Sequence, residues 1–118
     1  MLSPIDFPDV KLAHHVAIYP VMNMLKAEHT NSYKTKGQGY ILFDAAVERF
    51  DKAYYPTNQT LLDSHLFRPL KSPAFAGMPS TQVIVAEHDR LHDEGVMYFE
   101  TLQKAGVDVG VFVSLSIC

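Results

Sequence analysis

Cysteine, net charge and long apolar runs are all scarce in this 118-residue chain. The single cysteine, Cys118, has no partner for an internal disulfide, and its terminal place does not fit a prenylation box. A reducing, cytoplasmic setting is the expectation. A formal charge of −3 gives no electrostatic reason to expect nucleic acid or an acidic membrane surface. The longest apolar run, "VGVFVSLSIC", falls well short of the roughly 20 residues that span a bilayer, so no membrane span is expected. The N-terminal "MLSPIDFPDVK" lacks a basic segment followed by an apolar one, and no leader is read there. Internal repeats and low-complexity tracts are absent too. What is present is ordinary: 47% hydrophobic and 19% charged residues, suited to one soluble domain with a modest core.

Along the chain, the pattern alternates between strand and helix. "HHVAIYP" (14 to 20) is a β-favouring apolar run stopped by Pro20, the signature of a strand buried on both faces. "VMNMLKAEHTNSYKTKGQG" has no sustained period and reads as a long excursion or flap. From Asp44, "DAAVERFDKAYY" sets Ala46, Val47, Phe50 and Tyr54 at helical spacing and stops before Pro56. The proline-rich stretch 56–80 reads as irregular connection. "TQVIVAE" (81 to 87) is a second buried strand. A helix follows, with Asp93 as its cap, Val96, Phe99 and Leu102 as its apolar stripe and Gly106 as its left-handed stop. "VDVGVFVSLSI" completes the order as a third strand. Such alternation predicts an α/β fold: three parallel strands with flanking helices in a single domain, 1–118. Within it, 13–43 holds the first strand and flap, 44–80 the helix and irregular connection, and 81–118 the last strand–helix–strand.

"VIVAEHDRLHDEG" (83 to 95) drives an apolar strand into a burst of acids, histidines and arginine. In an open parallel sheet, functional side chains gather just beyond the carboxyl ends of the strands, where the strand fixes position and the loop gives access. Asp89 sits at that place. A carboxylate there can accept the Nδ1 proton of a histidine and stabilise the imidazolium formed during acyl transfer; equally, it can cap its own turn. Glu87 is a second acid nearby, but alternation sends it to the opposite face, which favours a structural role. "HDRLH" (88 to 92) imitates the zinc motif H-E-x-x-H, yet His88 ends a strand while Asp93 begins a helix, so His88 and His92 lack the helical spacing a metal needs. Solvated or edge positions are expected for His14, His15, His29 and His65. Met22, Met24 and Leu25 could touch lipid but more often serve packing. Lys34, Lys36, Lys71 and Lys104 read as scattered surface charges.

"AEHDRLHDEGVMYFETLQKAGV" (86 to 107) resembles the segment A-x-x-D-P-L-x-D-E-G-x-x-Y-x-x-x-L-x-x-A-G-V of the hormone-sensitive-lipase-like branch of the α/β-hydrolase superfamily, a group of carboxylesterases and lipases. "AIYPV" (17 to 21), "GYIL" and "SP" (72 to 73) with "GMPSTQVIVAE" are similar to further family segments in the same order, over roughly residues 16 to 109. The resemblance implies a partial α/β-hydrolase fold with Asp89 as the acid of a Ser-Asp-His triad. Asp93, Glu94 and Gly95 would be the structural "D-E-G". Arg90 stands where the family usually has proline and His92 where it often has arginine, departures that concern loop stiffness more than chemistry.

The family's mechanism also needs a G-x-S-x-G elbow, an H-G-G-G-type oxyanion hole and a later histidine. None of these motifs occurs here, and no histidine follows His92. The chain is therefore expected to be the C-terminal half of such an esterase, acting on a small-molecule ester only if completed by the missing half and inactive alone. Its other reading is a non-catalytic interaction or regulatory fragment. No cofactor or metal is expected. A bare sheet edge beside the first strand predicts association with a second copy or with a complementing chain.

Overall fold

The central strand, β2 (Thr81–Ala86), explains the architecture. "TQVIVA" is rich in β-branched residues, and both of its edges are paired. β1 (His15–Ile18) lies parallel on one side with Ala17 opposite Val83, and β3 (Val109–Ser114) lies parallel on the other with Val111 opposite Val83. The computed structural model describes residues 7–23 and 30–115. Met24, Leu25, His29 and Cys118 lie outside the described residues. The α/β class, with three parallel strands and flanking helices, is as the alternating pattern implied.

The helix α3 (His92–Lys104) covers one face of this sheet. Its stripe differs from expectation. Glu94, Gly95, Tyr98 and Leu102 are the buried positions, whereas Val96 and Phe99 are only half-buried at the margin. Gly95 is what brings helix and strand together: a Cβ built on it would stand 2.3 Å from Val85 Cγ1. Tyr98 is fully buried, its ring edge-on to His15 and Phe75. Around it Ala17, Met22, Phe75, Met78, Val83, Val85 and Leu102 make the core. The helix ends as predicted at Gly106 (φ 78°). Val107 N–H donates to Leu102 O and Gly106 N–H to Gln103 O (both 3.1 Å), the paired bonds of a Schellman stop.

Three expectations are corrected. β1 is not buried on both faces: Ala17 is buried, but Val16 and Ile18 alternate with it and are 49% and 60% exposed. The other side of β3 is equally open, with Phe112 58% exposed. α2 (Asp44–Tyr54) forms where expected, yet Phe50 and Tyr54 of its stripe are exposed and Ala46 and Val47 only half-buried. The flap contains a helical turn, α1 (Asn31–Thr35), begun by Thr30, whose side chain accepts the Tyr33 N–H. Two short 3-10 turns, Gln59–Asp63 and Pro69–Lys71, interrupt the irregular connection.

Candidate active site

Asp89 lies in the turn between β2 and α3, at the carboxyl end of the sheet, and is 3% exposed. The turn forms because the strand runs out of partners at Ala86 while short polar residues offer local bonds. Asp89 N–H donates to Ala86 O (3.2 Å), His92 N–H to Asp89 O (3.1 Å), and Leu91 N–H to Asp89 Oδ1 (3.1 Å). The last bond closes a side-chain turn of the kind aspartate favours. Asp89 Oδ2 meets no donor among the described residues. The carboxylate is thus buried and oriented through one oxygen while the other is left to accept.

Asp93 does not cap its own helix, contrary to expectation; α3 has no side-chain cap from its flanking residue Leu91. The cap comes instead from Ser32 of α1. Asp93 N–H donates to Ser32 Oγ (3.1 Å), and Ser32 N–H donates back to Asp93 Oδ2 (2.8 Å). This is the reciprocal logic of a capping box, split between two segments about sixty residues apart. Burial pushes the Asp93 carboxyl up, but the Ser32 bonds and His92 outweigh it and hold it below the usual carboxylate range.

Glu94 points inward. Met22 N–H and Asn23 N–H both donate to its Oε2 (2.8 Å each), so the helix carboxylate grips the chain just beyond β1. Burial raises its pKa, partly offset by those two bonds. Asn23 Oδ1 in turn accepts from the buried Arg68, through Nε (2.9 Å) and Nη2 (2.7 Å). The "D-E-G" triplet is therefore structural in three separate ways: a tie to α1, a tie to the β1 exit, and close packing on Val85.

Arg90 was expected to matter for loop stiffness; it is instead 4% exposed and reaches across to the former flap. Its Nη1 pairs with Asp44 Oδ1 (2.9 Å), and its guanidinium carbon lies 3.9 Å from the Tyr33 ring centroid. Tyr33, with its hydroxyl pushed up to about 12 chiefly by burial, keeps a neutral ring for that cation. The residues that sequence reasoning missed are Ser32, Asn23, Arg68 and this role of Arg90. A signal existed for one of them: Thr30 ahead of "NSYKT" is a helix-start residue.

The histidines scatter. His88 is exposed and stacks on Tyr40, with ring centroids 6.0 Å apart, while His92 starts α3 and bonds Asp93 through Nδ1 (3.1 Å). They do not share a helix face. Among the described residues no group of three or more His, Cys, Asp or Glu could hold a metal ion. His14 is exposed; His15 and His65 are half-buried, and burial first, then His14, lowers the pKa of His15. Glu87 is exposed, and its carbonyl accepts from Lys36 Nζ. Met22 is core; Lys34, Lys71 and Lys104 are surface residues. Among the described residues no helix is long and apolar enough to cross a membrane.

Beside β1 runs an open, mostly apolar trough of about 760 Å³, flanked by Ile18, Val21, Phe50, Tyr54, Leu66 and Phe67. It lies along the edge of β1 that has no strand partner among the described residues.

Comparison with known proteins identifies the fold to which this sheet and its helices belong. Residues 5–115 match the family model of the alpha/beta hydrolase fold. The chain is 34% identical over 98 residues to an ethyl acetate hydrolase of Pseudomonas putida, covering 83% of this chain and 30% of that protein. It is 31% identical over 105 residues to a probable carboxylesterase 11 of Arabidopsis thaliana, covering 86% and 22%. Among solved structures, an alpha/beta hydrolase enzyme from the metagenome of Lake Arreo, Spain, superimposes with a TM-score of 0.84 at 29% identity, over 94% of this chain and 34% of that one. A fungal esterase structure from Rhizomucor miehei gives 0.79 at 34% identity, over 88% and 33%. The chain thus spans about a third or less of the length of these relatives. With its parallel sheet, its acid turn and this match over nearly its whole length, the chain belongs to the alpha/beta hydrolase fold family.

Proposed function

We propose that Asp89 is the acid of a serine-esterase triad, and that this chain contributes to carboxylic-ester hydrolysis when a nucleophilic serine and a histidine are supplied beside it. The observation that carries this reading is the carboxylate itself: buried at the carboxyl end of a parallel sheet, with Oδ1 held by Leu91 N–H and Oδ2 left to accept. In such a triad the serine attacks the ester carbonyl carbon and gives its proton to the histidine. The aspartate accepts the histidine Nδ1–H, fixes its tautomer and stabilises the imidazolium. The histidine then protonates the leaving alcohol, and water hydrolyses the acyl-enzyme by the same relay. The names of the relatives, an ethyl acetate hydrolase and a probable carboxylesterase, support an ester substrate class.

A complementing segment has a place to dock. Ladder alternation turns the amides of Val16 and Ile18 away from β2, and the apolar trough lies alongside them. A parallel strand added there would cover both. Alone, the chain should neither turn over p-nitrophenyl esters nor be labelled at serine by a fluorophosphonate. Mixed with a segment of a relative that carries G-x-S-x-G and its histidine, it should restore turnover. Silence of the mixture, with the two parts bound, would refute the proposal.

A further inference from the structure

We propose that Arg90 is a positioning residue for Asp89: its buried guanidinium, held between Tyr33 and Asp44, sets where the acid turn sits in the molecule. This rests on the reading of Asp89 as the triad acid. The bonds that Asp89 makes are all local, to Ala86, Leu91 and His92. They fix the carboxylate within its turn but not the turn against the rest of the chain. The neighbouring residue adds such a link, beside those made by Asp93 and Glu94 in α3.

Arg90 reaches the segment 32–44 through its main chain and its side chain alike. Its carbonyl accepts from Ser32 Oγ (2.8 Å). Its Nη2 donates to Tyr33 O (3.3 Å), and its Nη1 to Asp44 Oδ1 (2.9 Å) and Leu42 O (3.4 Å). The same segment grips the turn on either side, with Lys36 Nζ on the Glu87 carbonyl and Ser32 on Asp93. The acid is thereby bracketed at residues 87, 90 and 93 by one stretch of chain, with Arg90 adjacent to it in sequence.

An apolar side chain could fill this space without the penalty of desolvating a cation. The Arg90 Nε is buried with no partner among the described residues, so the burial is not the arrangement that stability alone would choose. What the planar fork adds is direction. Several donors in fixed geometry, stacked on a ring, specify one orientation where a lysine would specify a distance. Because Asp44 is about half exposed, its charge is screened, and the ring and the two carbonyls carry most of the restraint.

The test begins with amide hydrogen exchange on this chain, comparing wild type with Arg90→Ala and Arg90→Lys. The Leu91 amide, which donates to Asp89 Oδ1, should exchange at least ~10-fold faster in both variants, while Val83 and Val85 in the central strand keep their native rates. Unchanged protection at Leu91, or uniform acceleration of all amides, would overturn the proposal. If Arg90→Ala does not fold, Tyr33→Leu and Asp44→Asn remove one arm at a time, and Tyr33→Leu should give the larger local effect. In the complemented hydrolase, Arg90→Ala should lower kcat with KM unchanged, and should lower it no further when Asp89→Asn is already present. Additive losses would mean that Arg90 acts on folding rather than through the acid. If complementation yields no activity, the triad reading fails on that result, while Leu91 exchange still decides whether Arg90 holds the turn.

Discussion

The two faces of the three-stranded sheet are finished to different degrees. On one, Thr81, Val83 and Val85 alternate inward beneath α3, Gly95 lets helix and strand close to contact, and Tyr98 fills the centre. On the other, Val16, Ile18 and Phe112 stand largely in solvent, although their side chains are as apolar as those beneath the helix. The acid turn is anchored to the finished face through Glu94 and Asp93. The difference teaches that this chain supplies its own cover for one face of the sheet and leaves an equally apolar face open. Exposed apolar area of this kind marks an interface or an aggregation hazard.

Truncating Tyr98 to alanine should show the contrast most strongly. Loss of a fully buried aromatic typically costs about 3–5 kcal/mol, which is a large share of the stability of a domain this small. Urea denaturation should show either a collapse of the midpoint or no cooperative transition. Gly95→Ala comes next. Alanine gains up to ~1 kcal/mol of helix propensity, but its Cβ would strike Val85 Cγ1, and overpacking of that kind costs roughly 1–3 kcal/mol. A more stable Gly95→Ala variant would show that the helix can lift freely off the strand.

The pH dependence sharpens the comparison further. Glu94 has a raised folded-state pKa, so its contribution is fully present below its ordinary value of 4.5 and is lost as pH rises through the raised one. Asp93 has a lowered pKa, so its contribution is present above 3.8 and is lost as pH falls through the lowered value. From Glu94 and Asp93 stability should peak in mild acid and decline toward neutrality, while His15, whose lowered pKa costs stability as pH falls below its ordinary value of 6.5, opposes that decline. Glu94→Gln keeps an oxygen for both amides and should flatten that decline; thermal melts across pH read it directly. The smallest effect is expected on the open face. Ile18→Ser and Phe112→Ser should each change the stability of the free chain by no more than about 0.5 kcal/mol while weakening concentration-dependent association measured by size-exclusion chromatography. A loss well above that would mean the face is covered after all.

The sequence made the strands, α2, α3 and the stop at Gly106 legible, because each rests on short-range pattern: β-branched runs, helical spacing, a proline or a glycine. Asp89 was legible as a strand-end acid for the same reason. What stayed hidden was the long-range pairing of side chains. Nothing local says that Ser32 caps a helix some sixty residues on, or that Arg90 finds Tyr33. The burial of β1 on both faces was misjudged because an apolar run records what a strand can bury, not whether a second layer is present to bury it. In α3 the apolar spacing pointed to Val96, Phe99 and Leu102, whereas Glu94 and Gly95 are buried as well, because a paired carboxylate and a missing side chain are what that contact requires.

The central claim, that the carboxylate of Asp89 orients a catalytic histidine, is tested most directly by ester turnover in the complemented assembly with Asp89 and with Asp89→Asn, which preserves shape and the Leu91 bond. The account predicts a fall in kcat of about 10⁴-fold with KM little changed. Equal turnover by the two forms would contradict it.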